Sequence, residues 1–159
     1  MKNKKTTSIT TIVIAATVIL FQFVEQNNVV EPSASSLYQT NRTIVASNEA
    51  ETQIESLYTN RQSDVIVEIT GKVIKLLPDD NEGSRHQKFI LQLASKHTLL
   101  VSHNIDLAPR INVLEKNDRV KIKGEYEWTE KGGVIHWTHH DPSGKHDDGW
   151  IEHNNKRYE

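Results

Sequence analysis

Cysteine is absent from the 159 residues. Thiolate zinc sites, iron–sulfur clusters, disulfide staples and cysteine nucleophiles are thereby excluded, and any metal must be held by nitrogen and oxygen. Net positive charge is also lacking. The formal charge is −2, so no global basic field draws the chain to nucleic acid, although a local basic groove stays open. Long apolar runs occur in one place. Residues 9–24 carry no charge, are mostly apolar and follow Lys2, Lys4 and Lys5, the tripartite pattern of a secretory signal. The run falls short of the about 20 residues that span a bilayer. Ser33, Ala34 and Ser35 offer small residues for cleavage. This pattern predicts export to the periplasm or beyond, with residues 1–25 either a cleaved signal or an inner-membrane anchor.

Residues 26–63 read as a polar linker carrying a short helix from an Asn48 cap to about Asn60, with Ile54, Leu57 and Tyr58 on its apolar side. A folded domain is expected over 64–159. Alternation of apolar and polar residues predicts strands at 65–70, resuming after Gly71 at 72–77, then at 89–93, 98–102, 119–128 and 134–138. Gly71 and Gly124 lie mid-strand, as glycines do at strong bends. Glu130-Lys131-Gly132-Gly133 predicts a hairpin turn, and Asn154-Asn155 joins a last pair of strands, 150–153 and 156–158. The expected class is mainly β: a small five-stranded OB-like barrel, with an N-terminal signal or anchor helix and a short C-terminal hairpin. A small open sandwich is the rival architecture. No internal repeat is visible.

Four of the eight histidines fall within residues 136–146. Imidazole titrates near neutrality and is the commonest nitrogen ligand. His136, His139, His140, Asp141 and His146 are therefore the candidate metal ligands, for a divalent ion such as zinc or manganese. Strand alternation would place His136 and Thr138 on one face and Trp137 in the core. The competing reading is that these groups brace a turn. His86, His103, Asp106 and Arg110 are candidate catalytic groups, combining an acid/base, a carboxylate and an anion clamp suited to phosphodiester or ester hydrolysis. Taken singly, Asp106 is as well explained as a turn cap, and Arg110 as its ion-pair partner. Tyr126 and Trp128 share a strand face and are candidate stacking groups for an oligonucleotide or glycan.

Three functions stay open on the residues: metal-assisted hydrolysis, non-catalytic binding of an oligonucleotide, glycan or envelope protein, and metal sequestration in the envelope. The expected partner is a small or oligomeric ligand, nucleic acid included. Membrane contact is expected only through residues 9–24, and no nucleotide or redox cofactor is expected.

Several stretches carry a family resemblance: Leu77-Pro78-Asp79-Asp80, the segments 83–90 and 103–111, Gly124-Glu125-Tyr126-Glu127-Trp128, and 132–142. From about Asp64 onward the chain resembles the bacterial family called domain of unknown function 3465. Asn117 stands where that family usually has a Gly-Asp turn, and Thr129 where Asn usually follows the Trp. The resemblance implies export and one compact domain, and it supplies no catalytic residues. Gly71-Lys72-Val73-Ile74 and residues 104–109 resemble, more distantly, the first strand and Asp-x-Pro loop of OB-fold thermonucleases. Their Asp-Gly-Asp-Thr element is absent here, so the likeness implies fold alone.

Overall fold

A computed structural model describes residues 33–159. The expected signal or anchor over residues 1–25 lies outside them. No helix among the described residues is long and apolar enough to cross a membrane. The described residues divide between two units at residue 39, and residues 40–159 are the second. The second unit holds most of the helix and every strand.

Helix α1 covers Ala34–Thr59. It begins well before Asn48, so much of the stretch read as linker is helical. Asn48 serves as an internal helical residue whose carbonyl accepts the Thr52 hydroxyl at 2.9 Å. The apolar side at the C-terminal end is as expected: Ile54 and Leu57 are buried in the core, each worth about 1.5–3 kcal/mol. Polar contacts fasten this end of α1. Glu51 accepts the Ala94 and Ser95 amides at 3.0 and 2.7 Å, and the Tyr58 carbonyl accepts Trp128 Nε1–H at 3.1 Å.

Seven strands follow: β1 Val65–Leu76, β2 His86–Gln92, β3 Thr98–Asn104, β4 Arg119–Glu127, β5 Val134–His136, β6 Trp150–His153 and β7 Lys156–Tyr158. Five of them close a barrel in the order β1-β2-β3-β5-β4-β1, with β3 and β5 parallel. Strand β1 is continuous through Gly71 and changes partner there. Residues 65–72 pair with β4 and residues 72–76 with β2, with a bulge between Val73 and Lys75. The β6–β7 hairpin adds to β4 and turns at Asn154 and Asn155, both left-handed (φ 50° and 60°), the type I′ geometry that asparagine tolerates.

Inward-facing residues alternate with outward ones along every barrel strand, and the inward set forms one core. Tyr126 belongs to that core and is fully buried. It is therefore not available as a stacking platform. Trp128 is half-buried, packed on the core and covered by the Arg61 guanidinium at 5.1 Å.

Strand β5 is shorter than expected and ends at His136. Trp137 takes a left-handed backbone (φ 50°), which breaks the alternation. Trp137 turns away from the core and Thr138 turns into it, reversing the expected facing. Just opposite, Gly124 lets β4 come close: a β-carbon there would land on the His136 carbonyl oxygen and lie 2.9 Å from Ile135 Cγ2.

Gly124→Ala should therefore destabilise the barrel by about 1–3 kcal/mol. Urea denaturation checks this: the midpoint should fall with the slope m unchanged. An unmoved midpoint would show that β4 and β5 have room to spare.

Candidate functional site

On the outer barrel face, β4 and β5 run antiparallel in a register that pairs Glu125 with His136 and Glu127 with Val134. Period-two alternation sends Glu125, Glu127 and His136 to the same side. His136 Nε2 lies 3.2 Å from Glu125 Oε1 and 3.7 Å from Glu127 Oε1. Neither oxygen makes a hydrogen bond with that nitrogen, which is nevertheless screened from solvent. Ligand atoms of these three residues all fall within 4.8 Å of one another. Two ligands each 2.0–2.2 Å from a tetrahedral ion sit about 3.4 Å apart. The observed separations of 3.2 and 3.7 Å bracket that value, so small rotamer adjustments would suffice.

The second oxygen of Glu125 is occupied by His146, whose Nε2 is 2.7 Å from Oε2. His146 also donates Nδ1–H to the Asp147 carbonyl at 2.8 Å and stacks on Trp137 with centroids 4.2 Å apart. Both ring nitrogens thus face acceptors, which favours the imidazolium. Burial works against the charge, but the Glu125 hydrogen bond and the Asp147 carbonyl outweigh it, and the His146 pKa is raised.

Asp141 is what positions His146. Its carboxylate accepts the Ser143 amide (2.9 Å), the Ser143 hydroxyl (2.9 and 2.8 Å), the Lys145 amide (2.7 Å) and the His146 amide (2.9 Å). The Ser143 contacts foremost, then the other amides, hold its pKa far below the usual carboxylate range. This is the turn-bracing role, and Asp141 does not belong to the Glu125, Glu127 and His136 group. His140 lies apart from that group, exposed and paired through Nδ1 with Asp148 at 2.8 Å.

Beside the carboxylates lies a cavity of about 210 Å³, lined by His86, Ser102, Asn104, His136, Trp137 and His139 among others. His86 donates Nδ1–H to the Ser84 carbonyl and His139 donates Nδ1–H to the His140 carbonyl, both at 2.7 Å. In each ring this leaves Nε2 as the basic nitrogen, without a hydrogen bond among the described residues. His136 belongs both to this cavity and to the Glu125 group.

The remaining candidates have structural partners. His103 points inward and is fully buried. It donates Nε2–H to the Pro109 carbonyl at 3.2 Å and accepts the Thr138 hydroxyl on Nδ1 at 2.8 Å. Burial pushes its pKa down to about 4, so it is a neutral core group. Asp106 pairs with Arg85 at 2.7 Å rather than with Arg110, and Arg110 pairs with Asp79 at 2.8 Å. The predicted quartet His86, His103, Asp106 and Arg110 is therefore not brought together around one reacting position.

Glu125 and Glu127 are the group that inspection of the histidine cluster overlooked. A usable signal existed. Counting back from the Gly132-Gly133 turn sets the hairpin register, which puts Glu127 opposite Val134 and Glu125 opposite His136.

A comparison with family models matches residues 37–159 to the family described as Protein of unknown function (DUF3465). The comparison with curated proteins gave no match.

The buried His103 sets a pH dependence. Its folded pKa lies below the ordinary 6.5, so its contribution is fully present above pH 6.5 and is lost as pH falls toward 4, roughly 3 kcal/mol in all. His146 works in the opposite sense: its contribution is present below pH 6.5 and lost as pH rises through its raised pKa. Asp141, being depressed, matters only below the ordinary carboxylate pKa near 3.8. Urea midpoints measured between pH 7 and 4.5 should fall for the native protein and fall less for His103→Gln. A native profile flat over that range would contradict a buried neutral His103.

Proposed function

The chain belongs to the DUF3465 family, a description that assigns no activity, and from the site itself we propose that it is an exported OB-like barrel that binds a divalent transition-metal ion. Glu125, Glu127 and His136 are the ligands. The observation that carries this reading is His136 Nε2, screened from water and without a hydrogen bond, facing two carboxylates at near-ligand spacing. Two carboxylates beside one another repel, and a cation between them relieves that repulsion. The mixed oxygen and nitrogen set suits zinc or manganese. The strand order supports the OB-like reading, and the lysine-led apolar segment at residues 9–24 supports export.

Metal-assisted hydrolysis of a phosphodiester or similar ester is the second reading, favoured by one observation. His136 is shared with a cavity whose other imidazoles, His86 and His139, keep a basic Nε2. Either nitrogen can take the proton of an attacking water while the ester oxygen leaves. Stacking of an oligonucleotide or glycan on Tyr126 and Trp128 loses its support, because the first is buried and the second is covered by Arg61 and α1.

Metal analysis of the purified full chain tests the first reading. We expect one equivalent of zinc or manganese in the native protein, little in His136→Ala or Glu127→Gln, and an unchanged content in His140→Ala. Added ion at a hundred times its Kd should stabilise the native protein by about 2.7 kcal/mol. An empty native protein whose Tm ignores both ions would remove the metal reading. With metal established, a His86→Ala variant that keeps its ion but loses ester turnover would favour hydrolysis. No turnover by the native protein on phosphodiester and carboxylic ester panels would leave binding alone.

A further inference from the structure

Outward positions on barrel strands are commonly polar, as at Glu68, Lys72, Lys121 and Lys123, although Ile66, Ile74 and Leu76 on β1 also face out. One rung brings apolar outward residues together from three neighbouring strands. Ile90 pairs with Leu100 and Leu100 pairs with Val134, so three aliphatic side chains from β2, β3 and β5 lie side by side facing out. Leu77 joins them, and together they wall a cavity of about 350 Å³, at the small end of the range for small-molecule sites. The wall is mainly aliphatic.

Three polar side chains line this cavity, Thr98, Thr129 and Lys131, and each can donate. Lys131 lines it and has no ion-pair partner among the described residues. Thr129 lines it too, and its Oγ1 accepts the Gly133 amide at 3.2 Å, which leaves the hydroxyl proton to give. No carboxylate lines the cavity. Glu127, the cross-strand neighbour of Val134, belongs to the metal-ligating group instead.

We propose that this cavity binds a small aliphatic carboxylate, its chain lying on Leu77, Ile90, Leu100 and Val134 and its anionic head held by Lys131 Nζ and the Thr129 hydroxyl. The site is separate from the 210 Å³ cavity and does not require the metal ion. Its specificity follows from the donors: an ammonium head would meet a like charge, and a neutral head would forgo the charge-assisted bond.

The experiment is methyl-resolved NMR of the full chain titrated with octanoate, and with octyltrimethylammonium as the cationic counterpart. Saturable shifts should concentrate on the methyls of Leu77, Ile90, Leu100 and Val134. Lys131→Ala should weaken octanoate about tenfold, the cost of one charge-assisted bond, and its Tm should stay that of the native protein because Lys131 is exposed. Thr129→Val should weaken it in the same direction. The proposal is overturned if the ammonium binds as well as octanoate, if Lys131→Ala binds undiminished, or if the shifts spread without preference over the chain. It is also overturned if the same methyls move with protein concentration and octanoate does not compete, since a second copy would then be the occupant.

Discussion

Three residues close the barrel. Val134, Ile135 and His136 are the whole of β5, yet they bond to β3 on one side and β4 on the other, and without them the sheet would have two free edges. A strand so short can satisfy both neighbours only if they come close, and Gly124 is where β4 does so. Every feature of the site descends from this closure. It places His136 against Glu125, starts the left-handed step at Trp137, and completes the aliphatic rung through Val134.

The chain beyond β5 is held by a single carboxylate. Asp141 collects amides from three residues and a hydroxyl from Ser143, fixing a loop that otherwise has little packing. Most of its side chains, Pro142 to Lys145 included, are exposed. Such a buried acceptor is costly to leave unmet and strong when fully met. Its effect is felt at a distance from Asp141 itself, because the loop delivers His146 onto Trp137 and Glu125. Asp141 thus supports the site without touching it.

The acidic loop after β1 and the connection after β3 show the opposite economy. Arg85–Asp106, Arg110–Asp79 and Lys88–Asp80 are exposed or partly exposed pairs, each worth little to stability. The first two tie the irregular segments together, and thereby use up Asp106 and Arg110, which read one by one had looked catalytic. The uncommitted chemistry lies instead on the outer sheet face, in the imidazoles of His86 and His139 and in the Glu125 group.

Much of the fold was legible from local pattern. Alternating apolar residues marked the strands β1 and β4, Gly132-Gly133 marked the β4–β5 turn, Asn154-Asn155 the β6–β7 turn, and mid-strand glycines marked strong coiling, because these signals depend only on neighbours along the chain. The histidine cluster was visible too, and the sequence by itself determined that any metal would be held by nitrogen and oxygen. Tertiary structure alone decided which of those groups meet. Asp106 and Arg110 are four residues apart yet each found a partner from another loop, Trp137 left the alternation through one dihedral angle, and His103 became a core residue by facing Thr138 across the barrel interior. Side-chain partnership is set by which strands lie side by side and in what register, a relation between residues distant in sequence, and local pattern carries no record of it.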